Sequence, residues 1–408
     1  MDRQACADLD AADPLEKVRR RFSLPDGLRY LDGNSLGALQ PAVAERVREA
    51  VEQQWGQDLI QSWNTAGWAT QPQRIAGQLA PLIGADADEI AVGDSTSVAV
   101  FKAVAAARQL RPDRSVLITD DTNFPTDIYV AQGLADLAGD LEVRVVAADR
   151  IRDHLDDTTA VLMLTHVDYR SGRLHDAHGL TAAAHDAGAI AIWDLSHSAG
   201  AVAVDLHAWD ADLAVGCTYK YLNGGPGSPA YLYVARRWHE QVSTPIRGWF
   251  GHARPFDFAL EYDAAAGAER FLAGTPPVLS MTALEAALEV WDDVEVATVV
   301  AKAQELTSLF IDLVDERCGQ EVEVISPRDA AERGGQVSVR HPQAYALTQA
   351  LIAERVIPDH RPPDLVRFGF APLYISRVDV FDAVEILARL LDTGAWDRPE
   401  FHDRKLVT

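Results

Sequence analysis

Two stretches concentrate side chains that can do chemistry: Trp193-Asp-Leu-Ser-His-Ser-Ala-Gly200 and Val215-Gly-Cys-Thr-Tyr-Lys-Tyr-Leu-Asn-Gly-Gly-Pro-Gly227. Each follows a short apolar run that reads as a buried strand, so a carboxylate, an imidazole, a lysine and a glycine-rich turn fall just past strand ends. That set suits a cofactor carrying a cationic ring nitrogen, an aldehyde and a phosphate, and pyridoxal phosphate (PLP) has all three. Lys220, between two tyrosines and beside the glycine-rich turn, is the amine for the aldehyde, because partial burial favours the neutral form that makes an imine. Asp194 is suited to pair with the ring nitrogen, and His197 to reach the ring's phenolic oxygen. Singly, each has a plainer role: a lysine can snorkel from a strand edge, an aspartate can cap a helix and a histidine can be packing.

These residues need a frame. Runs at 115–119, 143–146, 160–164, 189–193 and 230–234 are nearly continuously apolar, the pattern of strands buried on both faces. Helical spacing between several of them, as over 179–187, implies crossover connections and a largely parallel sheet with helices on both sides. Ligands of such sheets sit at the carboxyl ends of the strands. Residues 41–85 read as helical; a long helical pattern after Pro277 runs to Cys318. Beyond it, 321–325, 336–340 and 365–370 alternate like strands, with helices over 343–355 and 378–391. The fold class is therefore α/β.

At 408 residues, with 48% hydrophobic side chains, the chain can bury a large core. Its 37 basic and 61 acidic residues leave a net charge of -24, which disfavours nucleic acid and anionic membranes as partners. Met1 to Pro14 lacks the apolar centre of a secretory signal, and no apolar run approaches membrane-spanning length. Three scattered cysteines, Cys6, Cys217 and Cys318, give neither a disulfide framework nor a metal site, consistent with the cytoplasm.

The two active stretches resemble the kynureninase family, within the fold-type I PLP enzymes and their class V aminotransferase-like branch. The resemblance extends, in order, to Tyr30-Leu-Asp-Gly-Asn-Ser-Leu-Gly37, Asn123-Phe-Pro-Thr-Asp127, Gly248-Trp-Phe-Gly-His252, Gly274-Thr-Pro-Pro277 and Arg367-Phe-Gly-Phe-Ala-Pro-Leu-Tyr374. It implies a large PLP-binding domain over 41–280 with a mainly parallel, seven-stranded type of sheet. A small α/β domain would span 281–408, and an N-terminal arm, 1–40, would contribute to the small domain and the active site.

By the same resemblance, Thr96 and Ser97 hold the phosphate at a helix start, Phe124 stacks on the ring, Asp127 supports it and Thr165 lines the pocket. Tyr219 binds the phosphate and exchanges protons with the substrate's side-chain carbonyl. Trp249 and Thr275 reach the phosphate of a neighbouring subunit, implying a homodimer with shared active sites. The family more often has asparagine where Thr275 stands, and a hydroxyl can still donate there. Arg367 grips the α-carboxylate of an amino-acid substrate, while Ser35 and Trp63 flank the substrate. The implied reaction is hydrolysis of L-kynurenine, or its 3-hydroxy form, to anthranilate or 3-hydroxyanthranilate and L-alanine, in tryptophan degradation or NAD biosynthesis. One alternative is a cysteine desulfurase or selenocysteine lyase using Cys318 as nucleophile; another is a catalytically silent PLP-fold binding protein.

Overall fold

A computed structural model describes residues 1–404. Its centre is a seven-stranded sheet: β1 (Ile90–Gly93), β2 (Val116–Asp120), β3 (Glu142–Val146), β4 (Thr159–Thr165), β5 (Ile190–Asp194), β6 (Leu213–Gly216) and β7 (Ala230–Val234). The spatial order is β1-β7-β6-β5-β4-β2-β3. Every pairing is parallel except those of β7, which runs against both neighbours. The carboxyl ends of the other six strands therefore share one edge.

The apolar runs become central strands because both faces are covered. On β4 and β5, Val161, Met163, Ile190 and Ile192 pack into one core with helix Thr96–Leu110. Their alternates Leu162, Leu164, Ala191 and Trp193 pack into the other, with helices Gln71–Ile83 and Ala177–Asp186. The run at 143–146 departs from its expected burial. β3 is an edge strand bonded only to β2, and Val145 is 44% exposed. The helical reading of 41–85 resolves into Pro41–Glu49, a π-helical stretch Ala50–Asp58 and Gln71–Ile83. The pattern after Pro277 breaks into Val278–Leu288 and Val296–Cys318, with a 3₁₀ turn between them.

The later residues form an antiparallel sheet of β8 (Glu323–Val324), β9 (Gln336–Arg340), β10 (Asp359–Arg361) and β11 (Leu365–Gly369), ordered β10-β11-β9-β8. Phe310 of helix Val296–Cys318 packs on Phe368 and Phe370 at centroid distances of 4.6 and 5.2 Å. The N-terminal segment ties this sheet to the large one. Arg29–Tyr30 pairs with Val356–Ile357, Gly369 N donates to Leu31 O at 2.7 Å, and Gly37 N donates to Tyr219 O at 2.7 Å. A Cβ on Gly37 would stand 2.4 Å from Lys220 O, so only glycine lets the segment pass this close to the lysine turn.

Candidate active site

A cavity of about 310 Å³ opens at the shared strand edge. Asp194 ends β5, Thr165 ends β4, Lys220 lies four residues past β6, and Thr96 and Ser97 follow β1; all line it, as the strand-end rule requires. Ser95 caps helix Thr96–Leu110, whose first turn carries no acidic residue, so Thr96 and Ser97 bring free backbone N–H groups and hydroxyls to one wall. After β2, Pro125 at the first helical position starts helix Pro125–Ala138, placing Phe124 at the rim and Asp127 inside. Asn123 accepts from Phe124 N at 2.7 Å and from the Thr165 hydroxyl, fixing both residues.

Lys220 Nζ lies 2.9 Å from His197 Nε2 and 6.0 Å from the centroids of both Phe124 and Tyr219. Burial, then the positive charge of Lys220, drives the His197 imidazole well below its ordinary pKa, so it is neutral. Burial pushes the Tyr219 phenol up, with Cys217 adding to the effect, so Tyr219 keeps its proton.

Two carboxyls face each other in the floor. Asp194 Oδ1 accepts from Ser196 N at 2.7 Å, and Asp127 shares a hydrogen bond with Asp194. Burial, with the neighbouring Asp194 charge, holds the Asp127 carboxyl well above its ordinary pKa, and its Oδ2 is buried without a hydrogen-bond partner. Two acids sharing one proton, with an acceptor left over, make a receptor for a cationic ring nitrogen. With the hydroxyl-rich helix start, the aromatic ring of Phe124 at the rim and the lysine, the residues fit PLP.

The opposite wall belongs to the small sheet. Arg367, 1% exposed, donates from Nε and Nη2 to Asp359 at 2.9 and 2.5 Å, from Nη2 to Ser35 Oγ at 3.0 Å and from Nη1 to Tyr169 O at 2.5 Å. Asp359 sits directly opposite Arg367 in the β10–β11 register. Burial opposes ionisation of Asp359, but Arg367 and then Arg361 hold its carboxyl below the ordinary range. Asn34, Tyr169, Ser196 and Arg361 also line the cavity, and the sequence reading singled out none of them as site residues. The signal for Asp359 and Arg361 was an Asp-X-Arg alternation on a strand, informative only once its partner strand is known.

Three expected residues lie elsewhere in their own chain. Thr275 lines an adjoining cavity with Thr96, Ser97 and Tyr219. Trp63 and Trp249 pack edge to face at 6.1 Å, outside the lysine cavity, so Trp63 does not flank the substrate place of its own subunit. The cysteine-nucleophile alternative finds no support either. Cys318 ends helix Val296–Cys318, is 2% exposed, and burial pushes its thiol up to about 12. Among the described residues no cysteine lines the cavity.

The strand order, the lysine past β6 and the acid pair formed by Asp194 at a strand end and Asp127 at a helix start define a fold-type I PLP-dependent enzyme. Solved structures share the architecture. A cysteine desulfurase from Thermococcus onnurineus NA1 superposes with a TM-score of 0.78 at 20% identity, over 93% of this chain and 98% of that one. A cystine C–S lyase variant, with glycine covalently linked to its PLP, superposes with a TM-score of 0.80 at 16% identity, over 91% and 98%. At the level of sequence, a family profile for the kynureninase C-terminal domain matches residues 299–387. The kynureninase of Pseudomonas fluorescens is 46% identical over 413 residues, covering 100% of this chain and 99% of its own length. That of Burkholderia mallei (strain ATCC 23344) is 49% identical over 414 residues, with the same coverage. The chain belongs to the kynureninase family.

Proposed function

We propose that this chain hydrolyses L-kynurenine to anthranilate and L-alanine, and acts on the 3-hydroxy form, through the cavity around Lys220. It is a PLP-dependent hydrolase of a carbon–carbon bond. The observation that carries the residue assignment is the convergence of Lys220, the Asp127–Asp194 pair and Arg367 on one cavity. When bound, PLP supplies an aldehyde for the lysine and an electron-withdrawing ring.

The chain's own residues divide the remaining work. Thr96, Ser97 and Tyr219 bind the phosphate; Phe124 and Thr165 hold the ring; Asp127 and Asp194 keep a proton at its nitrogen; His197 faces its phenolic oxygen. Arg367 and Ser35 orient the substrate through its α-carboxylate. Lys220 Nζ moves the proton at the substrate's α carbon. Tyr219, kept protonated by burial, donates from Oη to the side-chain carbonyl oxygen as water adds to that carbon. Cleavage of the Cβ–Cγ bond then leaves anthranilate and alanine.

The functional unit we infer is a cytoplasmic homodimer in which Trp249 and Thr275 complete the partner's phosphate site. Supporting this, Trp249 packs on Phe256 at 5.7 Å and continues into exposed Phe258 and Leu260, an apolar patch that a second copy would cover. Among the described residues no helix is long and apolar enough to cross a membrane. The domain division we favour is 1–40, 41–280 and 281–408. The test is direct: PLP-loaded protein incubated with L-kynurenine should release fluorescent anthranilate, and a PLP-loaded preparation that releases none refutes the assignment.

A further inference from the structure

The arginine assigned to the substrate carboxylate is not a free cation. Asp359 occupies its Nε and Nη2 edge with two hydrogen bonds, and both side chains are buried. An incoming carboxylate would meet a neutral pair, and taking an anion out of water into a neutral site is unfavourable.

A second guanidinium changes the balance. Arg361 stands two residues beyond Asp359 on β10, and so on the same face of that strand. Its Nη2 donates to Asp359 Oδ2 at 2.6 Å and to Ser35 Oγ at 3.3 Å. Its Nε is buried without a hydrogen-bond partner, and the side chain lines the same cavity. Two guanidiniums against one Asp359 carboxylate leave one positive charge. The other acid of the cluster, Asp32, carries only part of a negative charge at neutral pH, because burial and then the Asp359 charge push its carboxyl up to about 7, so the cluster stays net positive there.

We propose that Arg361 is the second guanidinium of the carboxylate subsite, supplying the uncompensated positive charge that lets this site take a carboxylate-bearing substrate. Arg367 fixes the geometry, while Arg361 provides the attraction and an unused donor. The inference rests on the kynureninase reading only for the identity of the substrate.

The experiment titrates PLP-loaded protein with two ligands, following the cofactor absorbance. One is L-alanine, which carries the α-carboxylate. The other is decarboxylated kynurenine, which keeps the amine and the aryl ketone but lacks it. Arg361→Gln should weaken L-alanine by on the order of tenfold or more and leave the decarboxylated ligand within about threefold. The double variant Asp359→Asn/Arg361→Gln restores a single positive charge on Arg367, and should recover L-alanine binding to within about threefold of wild type. Equal weakening of both ligands, or unchanged L-alanine binding, overturns the proposal. If Arg361→Gln alone loses the cofactor band, the double variant decides: weak L-alanine binding beside intact binding of the decarboxylated ligand refutes it. Alanine binding requires no turnover, so a failure to form anthranilate would refute the catalytic reading and leave this test standing.

Discussion

Asp32 sits where a charge is costly, so replacing it with asparagine should stabilise the protein. Burial first, and the neighbouring Asp359 second, raise its carboxyl from the ordinary 3.8 to about 7, against the opposing pull of Arg367. At about 1.4 kcal/mol per tenfold, ionising this carboxyl in the folded state costs about 4 kcal/mol more than in the unfolded chain. The direction in pH follows. Between 3.8 and about 7 the folded state keeps a proton that the unfolded state has released, so stability falls as pH rises, and the loss is complete above about 7. Asparagine has no such proton. Asp32→Asn should therefore gain on wild type with rising pH, the gap widening by about 2–3 kcal/mol between pH 5 and pH 8 and then levelling. Urea unfolding of both PLP-loaded proteins across that range, followed by tryptophan fluorescence, measures it. A gap that is constant or narrows with pH would refute both the raised carboxyl and the charge balance drawn from it.

Other outcomes follow from the same geometry. Lys220→Ala should abolish the cofactor's imine absorption and anthranilate formation together, and survival of either would overturn the role of Lys220. Cys318→Ala should leave turnover at the wild-type level while costing about 1 kcal/mol of stability for the lost buried thiol; loss of turnover would instead favour a cysteine-based reaction. Mixing Lys220→Ala chains with Trp249→Ala chains tests the shared site. If Trp249 serves the partner's phosphate, each hybrid contains one intact site and an equimolar mixture recovers about a quarter of wild-type activity, whereas an own-chain role gives no rescue.

The parts of the site that were legible in the sequence share a cause. Asp194, Thr165 and Lys220 each end or follow a strand buried on both faces, and double burial writes itself into the chain as an uninterrupted apolar run. The edge strand β3 shows the limit. Its residues at 143–146 look much like those of a central strand, but Val145 is exposed because nothing pairs beyond it, and neighbour count is a tertiary property. The helical pattern after Pro277 likewise gave no sign of the turn that splits it.

Asp359 and Arg361 were illegible for a sharper reason. They lie on a strand of three residues, and their meaning comes from facing Arg367 across a register that sequence spacing does not encode. The same holds for the electrostatics. A net charge of -24 says that the surface is acidic, but the acids that matter are the buried Asp127, Asp194 and Asp359 and the partly buried Asp32. Apolar side chains in those places would spare the fold the cost of burying them, so their presence is explained by what they face: on one wall the two guanidiniums held by Asp359, and on the other the ring nitrogen that the proposed function assigns to the Asp127–Asp194 pair. Stability and chemistry thus oppose each other at identifiable atoms. The gain expected from Asp32→Asn with rising pH measures one of those oppositions directly.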